Sequence, residues 1–164
     1  MKAQREKPGP GQESVWDYPR PAICEPTTRS LEIRFAGATI ARTNRAYRVL
    51  ETSHPPTFYL PPDDILAGVL VPARGSSVCE WKGVARYFDV SHKGRTAKRA
   101  AWAYDAPTPS FAPMAGYVSF YAHLMEACFV DDEQVQAQEG DFYGGWITSH
   151  VVGPFKGAPG TWGW

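Results

Sequence analysis

The feature that most restricts this chain is the period of its apolar residues. No long stretch repeats at the helical 3.6, whereas several short stretches alternate apolar with polar and end in turn residues, the pattern of half-buried strands. Leu31, Ile33 and Phe35 alternate with Glu32 and Arg34, Ala36-Gly37 supplies a turn, and Ala38 to Arg42 runs back as the second arm of a hairpin. Thr43-Asn44 turns the chain again into Ala46 to Glu51. A second pair, Val84 to Ser91 and Thr96 to Asp105, is joined across His92-Lys93-Gly94-Arg95. Arg86, Phe88 and Val90 are expected on one face of the first arm and Trp102 and Tyr104 on one face of its partner, as cross-strand pairs. Gly116 to Tyr121 and Glu126 to Val130 read as further strands, and Asp131-Asp132-Glu133 as a polar turn before Val135 to Gln138. Helix is scarce. Its best candidate is Pro62 to Leu66, where proline at the start and Asp63-Asp64 in the first turn suit a helix N-terminus. The fold class expected is mainly β, with one or two short helical turns and long irregular Gly/Pro-rich segments.

Composition narrows the function classes. The 164 residues include 15 Gly and 15 Pro, yet 43% are hydrophobic and 13% aromatic, enough to bury one core and to exclude a natively disordered chain. Seventeen Lys+Arg balance seventeen Asp+Glu, so no net field attracts polyanions and nucleic-acid binding is not expected. Residues 1–13, charged and rich in Pro and Gly, are expected to form a flexible tail before a single domain, residues 14–164. They lack the apolar core of a secretory signal. The longest apolar stretch, Ile65 to Ala73, is broken by Gly68 and Pro72 and falls far short of the ~18 residues of a membrane span, so no membrane partner is expected. Cys24, Cys79 and Cys128 are odd in number and contain no Cys-x-x-Cys pair, which points to a cytoplasmic location.

Six segments carry a resemblance: ESVWDYPRP (13 to 21), RVLETSHPPTFYLPPDD (48 to 64), CEWKGVARYFDV (79 to 90), AAWAYDAP (100 to 107), MAGYVSFY (114 to 121) and DFYGGWITSHVVGPFKGAPGTWGW (141 to 164). With them the chain resembles the family called domain of unknown function 427 (DUF427) over nearly its whole folded length. The resemblance implies a β domain of the beta-tent type, two antiparallel sheets leaning on one another. Many relatives of that architecture hold a zinc with two Cys-x-x-Cys pairs where the sheets meet; this chain has neither pair, and packed aromatics would take that place. For function the resemblance implies little. The family is also labelled nucleotidyltransferase-like, a chemistry that needs paired carboxylates holding two metal ions. Gly75-Ser76 is followed at a fair distance by Asp89-Val90-Ser91, which lacks the second carboxylate.

The strongest candidate feature is an aromatic group, Tyr59, Trp81, Tyr87, Trp102, Tyr104, Tyr143 and Trp146, whose flat faces suit a planar or cationic ligand and equally suit an ordinary core. Cys79 is a candidate nucleophile because Lys82 follows three residues on in a glycine-containing segment with Glu80. Arg48, Glu51 and His54 form a polar run beside Pro55-Pro56 and Tyr59. Arg48 and Glu51 differ by three, so on a regular strand only one of them faces a given cleft. His54 is a candidate acid, base or ligand anchor, and His150 shares that reading. The four histidines, His54, His92, His123 and His150, show no metal-ligand spacing, so neither metal nor cofactor is expected. Lys93, Arg95, Lys98 and Arg99 read as a solvated edge. The leading expectation is a small-ligand-binding β domain with an aromatic-lined cleft, walled by Trp81, Trp102, Tyr104 and Trp146 with Tyr59 beside them. Arg48, Glu51 or His54 would supply its polar contacts. The alternatives are an enzyme using Cys79 or His54, and a structural or interaction module.

Overall fold

The alternating segments form strands. A computed structural model describes residues 3–140 and 142–164. In chain order the strands are β1 (Glu13–Ser14), β2 (Ile23–Thr27), β3 (Leu31–Phe35), β4 (Ala38–Thr43), β5 (Ala46–Leu50), β6 (Thr57–Tyr59), β7 (Leu70–Cys79), β8 (Gly83–His92), β9 (Arg95–Ala103), β10 (Val118–Phe120), β11 (Ala127–Val130), β12 (Glu133–Gln134), β13 (Gln136–Ala137), β14 (Trp146–Ile147) and β15 (Val151–Val152). They assemble into two four-stranded sheets, β10-β9-β8-β7 and β12-β11-β3-β4, a three-stranded sheet β2-β5-β6 and the pair β13-β14, all antiparallel. The short pair β1-β15 is parallel. The protein is therefore mainly β, with several antiparallel sheets where a pair was expected. Helix is confined to 3-10 turns at Val15–Asp17, Pro62–Asp64, Pro109–Met114 and Ala122–Leu124, more turns than anticipated. Among the described residues no helix is long and apolar enough to cross a membrane.

Of the strands that the alternation does not mark, the two longest, β2 and β7, each contain a proline, Pro26 and Pro72. Both lie at the edge of their sheets. There the missing N–H can face away from the neighbouring strand, the one place in a sheet that tolerates it.

The central sheet, β10-β9-β8-β7, is covered on both faces. Phe88, Val90, Ala101 and Ala103 join Leu31 and Ile33 of β3, with Phe120 and Trp146, in one core. Tyr87, Trp102 and Tyr104 join Val49 of β5, Tyr59 of β6 and Phe111 and Met114 of the 109–114 turn in a second. This two-sided burial explains the unbroken apolar run Ala100-Ala101-Trp102-Ala103-Tyr104, all buried. It also corrects the expected pairing. Tyr87 is the register partner of Trp102, and Phe88 sits opposite Ala101, so Phe88 and Trp102 point to opposite faces.

A bulge interrupts the β8–β9 ladder between Phe88 and Val90. Asp89 pins it: its carboxylate accepts the Arg99 backbone N–H at 2.8 Å and faces Lys98 at 3.5 Å. Those hydrogen bonds, led by the Arg99 amide, hold its pKa below the ordinary carboxylate value. Arg99 takes the left-handed backbone at φ 48° and lays its guanidinium over the Tyr87 ring, 4.1 Å from the centroid. Near the N-terminus, Glu6 and Gly153 exchange hydrogen bonds (2.9 and 2.7 Å) and the Gln12 amide donates to Ser149 O, so the segment before β1 lies along the C-terminal segment.

Candidate functional site

On the second face of the central sheet, β5 and β6 stand off from the end of β7 and β8 and leave a cavity of about 290 Å³. Val49, Glu51 and His54 line it from β5 and the loop that follows, and Tyr59 from β6. Ser77 and Cys79 contribute from β7, Glu80, Trp81 and Lys82 from the β7–β8 turn, and Tyr87, Trp102 and Tyr104 from β8, β9 and the residue just beyond. Tyr121, Gln138, Tyr143, Gly144 and Lys156 close it from later in the chain.

The aromatic rings meet at angles. Tyr59 lies edge-on to Trp102 with centroids 6.3 Å apart, and Trp102 and Tyr121 are tilted at 4.5 Å. Such geometries place ring edges against ring faces and are favourable beyond the area they bury. The C-terminal segment can approach only because it is glycine here. A Cβ on Gly144 would stand 2.1 Å from Cη2 of Trp102, and one on Gly145 would meet Pro55 and Gln138 within 2.7 Å. The Gly-rich tail is thus an element that packs directly on the indole.

His54 has its tautomer set by main-chain atoms. Gln138 is 4% exposed; its Oε1 accepts the Gly145 N–H at 3.1 Å and its Nε2 donates to Lys156 O at 2.7 Å. That orientation of the amide presents an N–H to His54 Nδ1 at 3.1 Å. Nδ1 is therefore an acceptor, and the neutral ring carries its proton on Nε2, 3.6 Å from Glu51 Oε2. Burial, reinforced by Lys156, Arg20 and Lys82, pushes the His54 pKa down to about 4. At neutral pH this histidine is a donor through Nε2–H, and the lone pair that a general base would use is engaged by Gln138.

Of the residues singled out from the sequence, Glu51, His54, Tyr59, Cys79, Trp81, Lys82, Trp102 and Tyr104 meet at this cavity. Two do not. Arg48 points to the opposite side of β5, where its guanidinium binds Glu13 (2.7 and 3.0 Å) and Glu25 (2.7 Å). Strand parity gave Arg48 and Glu51 different faces, and the cavity takes Glu51. Trp146 is fully buried in the other core, packed on Phe58 with centroids 5.4 Å apart and donating its indole N–H to Phe120 O. Tyr121, Gln138 and Lys156 went unmarked, because nothing local signals a residue whose partners lie many positions away. His150 accepts from Arg29 at 3.0 Å in a separate charged region with Asp131. Among the described residues no group of three His, Cys, Asp or Glu is placed to hold a metal ion.

Cys79 is half-buried at the cavity, and among the described residues its thiol makes no hydrogen bond to Lys82 or to a histidine. Lys82 instead sets its ammonium 5.7 Å from the Tyr104 ring centroid. Cys128, by contrast, lies in the first core, where burial pushes its thiol well above the ordinary value.

Fold and site together define a mainly β protein of several antiparallel sheets, with a cavity against one face of the central one. Residues 23–131 match the family described as domain of unknown function (DUF427), and the chain belongs to that family. A comparison with curated proteins finds none that matches it. The matched residues contain most of the cavity wall, whereas Gln138, Tyr143, Gly144 and Lys156 lie beyond them.

Proposed function

We propose that this protein binds a small ligand in the cavity between β5–β6 and β7–β9. The observation that supports it is convergence. Tyr59, Trp81, Tyr87, Trp102 and Tyr104 arrive from different strands and turns to border one space, with a few polar groups among them, which is the make-up of small-molecule sites. At about 290 Å³ the space suits a compact ligand of a single ring system. A reducing, cytoplasmic setting suits the three free thiols Cys24, Cys79 and Cys128.

A second reading, a nucleophilic role for Cys79, draws on its position beside Lys82 at the same cavity. Binding stands first because, among the described residues, no histidine or lysine makes a hydrogen bond to the thiol. The chain's tryptophans, 16, 81, 102, 146, 162 and 164, provide the test. Titration with a library of small aromatic fragments, followed by indole N–H resonances, should perturb Trp81 and Trp102 and leave Trp16 and Trp146 in place. Fragments that perturb only the other indoles, or a library in which none binds, would refute the proposal.

A further inference from the structure

Resting on that reading, we infer that the cavity takes a planar ligand bearing an anionic oxygen group, of the aromatic carboxylate class, with the oxyanion received by Tyr59, Tyr104 and Lys82. Tyr59 is 1% exposed, and its hydroxyl oxygen accepts the Trp102 indole N–H at 3.2 Å. An indole N–H only donates, so the Tyr59 hydroxyl proton has no acceptor among the described residues. Tyr104 is 6% exposed, and its hydroxyl has no partner at all among them. Of the other wall tyrosines, Tyr87 shares a hydrogen bond with Ser77 Oγ at 2.8 Å and Tyr121 donates to Phe142 O at 3.2 Å, while Tyr143, which stands beside Lys156, has a hydroxyl without a partner among the described residues. Two neighbouring rings, Tyr59 and Tyr104, 6.3 Å apart, therefore border the cavity with hydroxyl protons that no described residue accepts.

The charges lean the same way. The ammonium groups of Lys82 and Lys156 lie over the Tyr104 and Tyr143 rings at 5.7 and 5.8 Å, and among the described residues neither forms a salt bridge. Of the two carboxylates at the cavity, Glu51 faces Arg20 at 3.7 Å, and Glu80 is exposed at the rim. Burial raises the pKa of both Tyr59 and Tyr104, so their hydroxyls stay protonated as donors. Open hydroxyl donors beside an ammonium are the complement of an oxyanion, and the flat Trp102 and Tyr104 faces are the complement of a ring.

The test uses three probes of nearly one shape: benzoate, benzamide and benzamidine, anionic, neutral and cationic. Each is titrated into the full chain, into Tyr104→Phe and into Lys82→Gln, with the Trp81 and Trp102 indole resonances as readout. Benzoate should bind the parent roughly tenfold or more tightly than benzamidine, and each variant should weaken benzoate roughly tenfold while changing benzamide by no more than about twofold. Lys82 is half-buried in a turn, so Lys82→Gln carries the test should Tyr104→Phe fail to fold. Benzamidine binding as tightly as benzoate, or benzoate affinity unchanged in both variants, would overturn the ligand class while leaving cavity binding intact. Silence of both indoles with all three probes would overturn both.

Discussion

Acidification should destabilise this protein through one imidazole. His54 has a side chain only 13% exposed, with Nδ1 engaged by Gln138. Burial first, then Lys156, Arg20 and Lys82, lower its pKa from 6.5 to about 4. The unfolded chain takes the proton at the ordinary value, and the folded chain resists it until far lower. Stability is therefore complete above pH 6.5 and is lost as pH falls from there toward 4. At about 1.4 kcal/mol for each pH interval of one, the loss amounts to ~3 kcal/mol, a large part of the ~5–15 kcal/mol that holds a domain folded. Depressed carboxylates such as Glu13, held down chiefly by its Arg48 hydrogen bonds, titrate at more acidic pH and are common to parent and variant. Urea unfolding of the parent and of His54→Gln, each at about pH 7 and about pH 4.5, isolates the histidine: the parent should lose ~2–3 kcal/mol more than the variant. Gln138→Glu, which places an acceptor where Nδ1 now meets a donor, should raise the His54 pKa. Equal losses in parent and variant, or an imidazole titrating near its ordinary 6.5 by NMR, would show that His54 is not the group responsible.

Two substitutions probe residues on either side of the cavity boundary. Gly144→Ala drives a Cβ to 2.1 Å from the Trp102 ring, so the indole or the C-terminal segment must move. Thermal unfolding should show a loss of ~1–3 kcal/mol together with a shifted Trp102 indole resonance, and an unchanged melting temperature would disprove the close approach. Arg48→Ala removes hydrogen bonds to Glu13 and Glu25, whose side chains are partly exposed, and should cost about 1 kcal/mol without altering ligand affinity. A weakened ligand in that variant would place Arg48 back in the site.

The local alternation that marks β3, β4, β5, β8 and β9 was legible because a strand with one or both faces buried must repeat at period two, whatever else surrounds it. Pro26 and Pro72 hid β2 and β7, since a proline speaks against a strand unless its place at a sheet edge is already known. The aromatic group was legible as a group and not by membership. Trp102 and Trp146 carry the same side chain, yet one borders the cavity and the other fills the opposite core. Asp89 shows the same limit, its carboxylate being bound to the amide of a bulge ten residues ahead.

The mainly β class, the turns at Ala36-Gly37 and Lys93-Gly94, the DUF427 family and a shortlist in which Glu51, His54, Tyr59, Cys79, Trp81, Lys82, Trp102 and Tyr104 all reach one cavity follow from the order of residues alone. Those properties rest on period, turn chemistry and contiguous motif, all of which act between near neighbours in the chain. The face of the central sheet that each aromatic takes is set by the folded arrangement. That arrangement also brings Gln138 to His54 across 84 positions, and Gly144 onto Trp102. Those choices depend on register and on close approach between distant segments, where a shift of one residue turns every side chain to the other face.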